Sequence, residues 1–136
     1  MIWDPIRQQN LVLTPEEHVR QCLIRFLREE RGFPRALFSI EKGLTYSERK
    51  KRYDLLVYDR EAQPLLAMEC KAPHIPLDEK AARQLAVYNS KIGAPFLLLT
   101  NGMLYLFFSK NSNNRWVPEP DLPEYEELLL RIKNDS

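Results

Sequence analysis

The sequence lacks an apolar run long enough to cross a membrane, because no run approaches the roughly 18 residues that a membrane-spanning helix needs. Its N-terminal segment, 1–10, is polar and lacks the basic and then apolar pattern of a signal peptide. Cysteine is scarce too: the chain has two, Cys22 and Cys70, and they do not stand at metal-ligand spacings. Both are expected to be reduced thiols, and together these absences predict a soluble, cytoplasmic protein.

An excess of charge of one sign is also missing. Twenty lysines and arginines oppose nineteen aspartates and glutamates, which leaves a formal net charge of +1. A broadly basic surface that coats nucleic acid is therefore not indicated, and any phosphate binding must be local. The two histidines, His18 and His74, lack partners at zinc-ligand spacing, so neither is assigned a metal.

What the chain does contain is enough apolar material for one domain. Of its 136 residues, 44% are hydrophobic and 29% are charged, which is typical of a compact domain with its own core. No internal repeat or low-complexity block interrupts the pattern. We expect a single domain over residues 1–136, with a core over about 14–110 and a C-terminal helix over about 123–133.

The first helix has a clear start signal in the sequence. Thr14 is a good N-cap, Pro15 suits the first helical position, and Glu17 stands at the capping-box position. Apolar residues then repeat at helical spacing at Val19, Cys22, Leu23, Phe26 and Leu27. Gly32 and Pro34 end the predicted helix.

The remaining elements follow in a defined order. Apolar runs bounded by turn residues predict strands at 37–40, 53–58, 65–71, 96–100 and 103–108. A helix from about 78 to 90, closed by Gly93, separates the third strand from the fourth, and a last helix begins near Pro123. Asn101-Gly102 predicts a tight type I′ hairpin turn. The order α-β-β-β-α-β-β-α indicates an α/β (α+β mixed) fold, in which helices flank a mixed central sheet of about five strands.

The hairpin formed by the second and third strands brings together three side chains that can carry chemistry. If its turn is centred between Glu61 and Ala62, Asp54 lies opposite Glu69 on the neighbouring strand. Alternation along the strand places Lys71 on the same face as Glu69. Two carboxylates and an amine are then neighbours at one end of the hairpin.

Opposed carboxylates in an apolar sheet need a cation close by, because burying an ionised carboxylate costs on the order of several kcal/mol unless a cation compensates it. Mg²⁺ fits, since it takes carboxylate oxygens and keeps waters and substrate phosphate oxygens. It lowers the pKa of a bound water, and Lys71 can position or deprotonate that water or stabilise the transition state, which suits hydrolysis of a phosphodiester. Under the simpler interpretation, Glu69 and Lys71 form an ordinary ion pair and Asp54 merely begins a strand.

These residues resemble the signature of a known superfamily. Asp54 followed by Glu69-Cys70-Lys71 resembles the motif of PD-(D/E)XK nucleases, with Tyr53 in place of the proline of that motif. From about Thr14 to Gly102, the chain is similar to the N-terminal nuclease domain of type I restriction enzyme R subunits. The similarity is carried by Pro15-Glu16-Glu17-His18-Val19-Arg20-Gln21, Glu69-Cys70-Lys71-Ala72-Pro73, Gln84-x-x-x-Tyr88-Asn89 and Thr100-Asn101-Gly102. The resemblance implies a restriction-endonuclease-like core.

The resemblance also implies a role for each motif residue. In that family the aspartate and the glutamate bind a metal ion, the lysine assists catalysis, and the Gln-x-x-x-Tyr pair supports the site or the DNA. These roles fall on Asp54, Glu69, Lys71, Gln84 and Tyr88. The implied function is a divalent-metal-dependent endodeoxyribonuclease that uses Mg²⁺, with Mn²⁺ as a substitute, and acts on DNA. Without the resemblance, Gln84 and Tyr88 are a surface glutamine and a half-buried tyrosine on one helix face.

Related folds also place a glutamate of the first helix near the metal, and two are available here. At about 100° per residue, Glu16 lies near the predicted apolar stripe, whereas Glu17 points away and already serves the capping box. Glu16 is therefore the predicted third metal ligand, beside Asp54 and Glu69. In the alternative interpretation, Glu16 is an acidic residue that the helix dipole favours near the N-terminus.

Other features of the sequence leave alternatives open. The basic run 49–52 either holds a phosphate backbone beside the site or is a solvated connection. No Gly-rich phosphate loop ending in Lys-Ser or Lys-Thr is present, so the ATP-driven motor of an R subunit is missing, and translocation would need a motor protein or restriction-modification subunits as partners. The alternative function is a catalytically inactive nucleic-acid-binding or assembly module that keeps the nuclease fold. A third is a structural domain with a simple ion pair.

Overall fold

The computed structural model describes residues 2–6, 9–11, 14–40 and 55–134. Asp54 and the basic run 49–52, which the sequence singled out, lie outside these ranges. The elements within them are β1 (Ile2–Asp4), β2 (Gln9–Leu11), α1 (Pro15–Glu30), a 3₁₀ turn (Arg35–Leu37), β3 (Phe38–Ile40), β4 (Leu55–Tyr58), β5 (Pro64–Cys70), α2 (Glu79–Ile92), β6 (Phe96–Thr100), β7 (Tyr105–Lys110), β8 (Trp116–Glu119) and α3 (Tyr125–Asn134). No helix in these ranges is both long and apolar enough to cross a membrane.

A six-stranded mixed sheet forms the centre of the described fold. Its strand order is β3-β4-β5-β6-β7-β8, with β5 and β6 parallel and the other neighbouring pairs antiparallel. The parallel pair requires a crossover, which α2 provides. β1 and β2 form a separate two-stranded ladder. The mixed α/β class is thus confirmed, with one more strand in the central sheet than the five expected.

The additional strand is β8, and its composition explains why the sequence pattern does not reveal it. It lies at the edge of the sheet and contains Pro118, which an edge strand tolerates because one side of its backbone has no partner strand. All four of its side chains are exposed or half-buried, so β8 lacks the apolar alternation that marks a strand. β1 and β2 are three residues each, which is too short for a periodicity to appear.

The two longer helices begin and end where the sequence predicts. At α1, the backbone N–H of Glu17 donates to Thr14 Oγ1 at 3.1 Å, and Pro15 occupies the first helical turn. At α2, Asp78 accepts from the backbone N–H of Ala81 at 2.9 Å, and Gly93 ends the helix in the left-handed region at φ +82°. Both N-caps and the C-terminal glycine of α2 are therefore confirmed.

Helices cover both faces of the sheet. One face packs against α1 and α3, and its buried residues include Val19, Leu23, Leu27, Leu66, Met68, Leu98, Tyr125 and Leu128. The other face packs against α2, and its buried residues are Leu56, Ala67, Leu85, Ala94, Leu97 and Leu99. From Leu66 to Cys70, the even-numbered residues of β5 thus lie on the α1 side, and Ala67 lies on the α2 side. This arrangement explains why β5 and β6 are apolar on both sides.

The register of the β4–β5 hairpin agrees with the sequence prediction. Leu55 pairs with Met68, Leu56 with Ala67 and Val57 with Leu66, as a turn centred between residues 61 and 62 requires. A shift between Val57 and Tyr58 then leads into a turn in which the Asp59 carboxylate accepts backbone N–H groups from Glu61 and Gln63, each at 2.9 Å. The Asp59 side chain therefore shapes the turn.

The connection between β6 and β7 differs from the predicted type I′ turn. Thr100 pairs with Tyr105, so four residues, 101–104, form the loop. Gly102 has φ +89°, in the left-handed region. The Asn101 side chain accepts hydrogen bonds from the backbone N–H groups of Met103 and Leu104. An asparagine that hydrogen-bonds the following amides favours this wider loop over the two-residue turn, so the type I′ prediction was wrong.

Candidate active site

Glu69 and Lys71 lie together at the carboxyl end of β5. The Lys71 Nζ atom is 3.0 Å from Glu69 Oε2. Strand alternation places Glu69 on the α2 side of the sheet, two residues after Ala67, and its neighbour on β6 is the buried Leu99. The predicted contact between the two side chains is therefore present.

The two members of this ion pair differ in exposure. Glu69 is 6% exposed, although it is charged and lies beside an apolar cluster. The side chain of Lys71 is 28% exposed, so it is partly accessible to solvent. Burying a carboxylate is unfavourable unless a cation and hydrogen bonds compensate it, and Lys71 supplies part of that compensation. The result is a buried anion with a solvent-accessible cation at the edge of the sheet.

The backbone of Lys71 is fixed by the neighbouring parallel strand. Its N–H donates to the carbonyl oxygen of Thr100 at 2.8 Å, one residue beyond the Cys70–Thr100 pair that ends the ladder. The carboxyl ends of β5 and β6 therefore meet beside Glu69 and Lys71. Ligands of sheet proteins often bind at such an edge, because two loops leave parallel strands side by side there.

The described residues supply one carboxylate at this edge that suits a divalent metal. Within the ranges given above, no three His, Cys, Asp or Glu side chains come close enough together to hold a metal ion. Glu69 provides the oxygen ligand that Mg²⁺ prefers, and Mg²⁺ is commonly bound through one or two carboxylates with waters and substrate phosphates. Asp54, the predicted second ligand, is outside the described residues. The metal site therefore stays a prediction.

The two glutamates of α1 have the opposite orientation from the one expected. Glu17 is 8% exposed, whereas the side chain of Glu16 is 49% exposed and lies 3.6 Å from Arg20. The apolar stripe runs through Val19, Leu23 and Leu27, but the buried face of α1 also includes Gln21 and Ile24, four and seven residues after Glu17. The expectation that Glu17 points away from the core was therefore wrong.

Glu17 is held by side chains one turn further along α1. Its Oε1 accepts from Arg20 at 2.5 Å, and its Oε2 accepts from Gln21 at 2.8 Å. The spacings of three and four residues bring these side chains to one helix face, and they are the signal in the sequence that could have identified this cluster. Glu17 thus has a structural function on the buried face of α1.

We expect Glu17→Gln to lower the free energy of unfolding by about 1–3 kcal/mol, because a buried carboxylate with two charge-assisted or polar hydrogen bonds is replaced. Glu16→Gln is the matched control on the exposed side, and it should change stability by no more than about 0.5 kcal/mol. Urea denaturation of the three proteins measures both values. Equal losses for the two variants would contradict the assigned difference in burial.

Gln84 and Tyr88 lie on α2, the helix that covers the face of Glu69. Gln84 is exposed and Tyr88 is half-buried, while Leu85 between them packs into the sheet. The two residues are one turn apart, as predicted. Gln84 is therefore accessible from solvent, and Tyr88 is partly accessible.

Tyr105 begins β7 opposite Thr100, on the side of the sheet that faces α1. Its ring lies 5.7 Å from that of Phe26. Burial raises the pKa of the Tyr105 hydroxyl, and the thiols of Cys22 and Cys70 raise it further when ionised. The phenol is therefore neutral at physiological pH and does not add negative charge near the carboxyl end of β6.

Comparisons with known proteins agree with this architecture. The family model for the N terminus of the type I restriction enzyme R protein matches residues 15–123. A fragment structure assigned as an HsdR subunit of a type I restriction enzyme from Vibrio vulnificus YJ016 matches with a TM-score of 0.65, 21% sequence identity and coverage of 93% of this chain. The chain spans 26% of that fragment, and at this identity the match shows the fold alone. Among curated proteins, none matches significantly.

Proposed function

The chain belongs to the family of type I restriction enzyme R protein N-terminal domains, and from this membership we propose that it is a divalent-metal-dependent endodeoxyribonuclease domain. Its reaction is the hydrolysis of phosphodiester bonds in DNA. The match over residues 15–123 supports a nuclease-like role for the domain. Metal dependence, the catalytic residues and the single-domain organisation are parts of the proposal.

The observation that carries the proposal is the buried Glu69 in contact with Lys71 where two parallel strands end. A buried ion pair contributes little net stability, since apolar side chains of similar volume serve as well or better. A charged pair in an otherwise apolar strand therefore favours a chemical role. The pair also has the carboxylate-x-lysine spacing of the PD-(D/E)XK motif.

We propose Asp54 as the second carboxylate ligand. In the chain it directly precedes Leu55, and the partner of Leu55 is Met68, which directly precedes Glu69. Mg²⁺ bound by these carboxylates would activate a water and offset the charge that develops on phosphorus, and Mn²⁺ would substitute for it. The Lys71 side chain is partly open to solvent, and its ammonium group can donate a hydrogen bond to the substrate phosphate; only in its neutral, amine form would it take a proton from the attacking water.

The proposal assigns supporting roles to three helix residues. Gln84 and Tyr88 support the site or contact the DNA from α2. Glu16 is the proposed third ligand from α1, because its exposed carboxylate meets Arg20 at 3.6 Å, which is longer than a hydrogen bond. Glu17 is less suited, since Arg20 and Gln21 already hold both of its oxygens.

The proposed partners are DNA and a motor protein or restriction-modification subunits. These 136 residues contain no Gly-rich phosphate loop, and they correspond to 26% of the HsdR fragment that they resemble. In this proposal, these proteins supply translocation and site recognition. The domain supplies the cutting site.

The proposal predicts that the wild-type protein converts supercoiled plasmid to nicked or linear DNA in the presence of Mg²⁺ or Mn²⁺, and that a chelator stops the conversion. Gel electrophoresis over a time course measures it, with plasmid binding followed in parallel by fluorescence anisotropy. Binding without nicking under every metal condition would instead support a nucleic-acid-binding or assembly module. A protein that neither binds nor nicks plasmid would support the interpretation of Glu69 and Lys71 as a simple structural ion pair.

A further inference from the structure

Asn101 is a buried polar residue beside the site that the proposed reaction does not use. It follows Thr100 at the end of β6 and is 6% exposed. We infer that Asn101 is a positioning residue, which holds Lys71 in place by tying the segment after β5 to the loop after β6. This inference rests on the proposed function, because a positioning role requires that Lys71 acts in the reaction.

Three hydrogen bonds engage the Asn101 side chain. Its Oδ1 accepts from the backbone N–H groups of Met103 at 2.9 Å and Leu104 at 3.0 Å, which closes its own loop. Its Nδ2 donates to the carbonyl oxygen of Ile75 at 2.8 Å, which is 26 residues away in the chain. The acceptor side of the amide thus shapes one loop, and the donor side joins that loop to another.

The loop that Asn101 reaches is the one that begins with Lys71. The Lys71 N–H is bonded to the carbonyl oxygen of Thr100, and a turn closes where the Ile75 N–H donates to the Ala72 carbonyl oxygen at 3.0 Å. The bond from Asn101 therefore fixes the segment four residues after Lys71. Two adjacent residues at the end of β6, Thr100 and Asn101, hold this segment at two points.

The loop of Asn101 is itself supported by α1. Gly102 has φ +89°, and a Cβ atom added there would lie 3.2 Å from Val19 Cγ2, so the loop packs closely against the first turns of the helix. The segment 71–75 is thereby linked to the packed frame of β6 and α1. α2 begins at Glu79, four residues after Ile75, so the same bond limits where Gln84 and Tyr88 can lie.

Loss of the hydrogen bond from Asn101 to Ile75 keeps the Lys71 backbone paired with Thr100 but lets the segment 72–75 shift. Reacting groups must be held within a narrow geometry, and a displacement of about 1 Å can cost roughly 10²-fold in rate. The effect should appear in the rate of the chemical step rather than in DNA binding. That separation distinguishes positioning from a general loss of folded protein.

The chain offers a matched control in Asn89, which is 2% exposed. Its Nδ2 donates to the carbonyl oxygen of Ala94 at 2.8 Å, and its Oδ1 accepts from the Ala94 N–H at 3.1 Å. It therefore resembles Asn101 in residue type, burial and bonding. It lies before β6, at the opposite end of that strand from Thr100.

The experiment compares Asn101→Ala, Asn101→Ser and Asn89→Ala with the wild type, using supercoiled plasmid and Mg²⁺. Serine retains an oxygen that can accept from the loop amides but lacks the amide donor to Ile75. We expect both Asn101 variants to lower kcat for nicking about 10- to 100-fold with KM for DNA changed less than about 3-fold. The NMR resonances of the Lys71 side chain, assigned with Lys71→Arg, should shift in both variants, whereas Asn89→Ala should leave kcat and these resonances unchanged.

Each contrary result has a separate meaning. Asn101 variants that match Asn89→Ala in kcat and leave the Lys71 resonances in place would overturn the positioning role. Equal losses of kcat in the Asn101 and Asn89 variants would also overturn it, because they would indicate general destabilisation. If the wild type does not nick DNA, the proposed function fails, and the Lys71 resonances still decide whether Asn101 fixes Lys71.

Discussion

Replacing Lys71 with methionine is expected to lower the rate of Mg²⁺-dependent plasmid nicking by about 10²- to 10⁴-fold, the contribution typical of a positioned acid–base group. Methionine has a similar length but no charge, so it removes the ammonium group that lies 3.0 Å from Glu69 while filling similar space. Glu69→Gln should cause a loss of the same order, because it removes the proposed metal-binding carboxylate. Initial nicking rates at saturating Mg²⁺ measure both effects.

The two variants should differ in their response to metal. Glu69→Gln lowers the affinity for the metal, so part of its activity should return at high Mn²⁺ concentration. Lys71→Met keeps the carboxylate, so added metal should not restore its rate. Isothermal titration with Mn²⁺ in the absence of DNA separates the two cases, with weaker binding expected for Glu69→Gln alone.

A matched control for both variants is Arg60→Met. Arg60 also forms an ion pair with a glutamate, Glu126, but it is exposed and lies in the turn before β5, at the opposite end of that strand from Lys71. Nicking by this variant should proceed at the wild-type rate. Wild-type nicking by Lys71→Met would remove Lys71 from the mechanism and favour an ordinary ion pair.

The part of the site that could be predicted depends on strand periodicity. Two apolar segments joined by a short polar turn can pair in few ways, and the observed pairs from Leu55 to Val57 follow the expected register. The contact between Glu69 and Lys71 then follows, because residues two apart on a strand share a face. The irregularity at Tyr58 lies nearer the turn and does not alter these pairs.

The features that escaped prediction depend on hydrogen bonds made by particular side chains. The Asn101 side chain accepts hydrogen bonds from two backbone amides of its own loop. Asn101-Gly102, a dipeptide typical of a two-residue turn, is therefore part of a four-residue loop here. Glu17 is buried because Arg20 and Gln21 bond it, whereas a pattern built from apolar residues alone favours Glu16. Such bonds depend on atomic positions that the hydrophobic pattern does not specify.

The largest expected loss of stability outside the site comes from truncating Tyr125, which anchors α3. Its side chain is fully buried, its ring meets that of Phe33 edge-on at 5.2 Å, and its hydroxyl donates to the carbonyl oxygen of Tyr58 at 3.0 Å. Tyr125→Ala should therefore lower the free energy of unfolding by about 3–5 kcal/mol, as for other large aromatic residues in cores. Leu130→Ala, on the exposed side of the same helix, is the control and should cost no more than about 0.5 kcal/mol.

Tyr125→Phe removes the hydroxyl but keeps the ring, and so measures the contribution of the hydroxyl alone. It should lower the free energy of unfolding by about 1 kcal/mol at neutral pH.

This contribution should depend on pH. Burial raises the pKa of the Tyr125 phenol in the folded protein, although the nearby Arg60 opposes the shift. A raised pKa means that the folded state favours the protonated phenol. The stability it contributes is complete below the ordinary value of about 10 and is lost as the pH rises through the folded-state pKa. The advantage of the wild type over Tyr125→Phe should therefore shrink above about pH 10, as urea denaturation across that range would show. A constant difference between the two proteins would mean that the hydroxyl is not buried at this position.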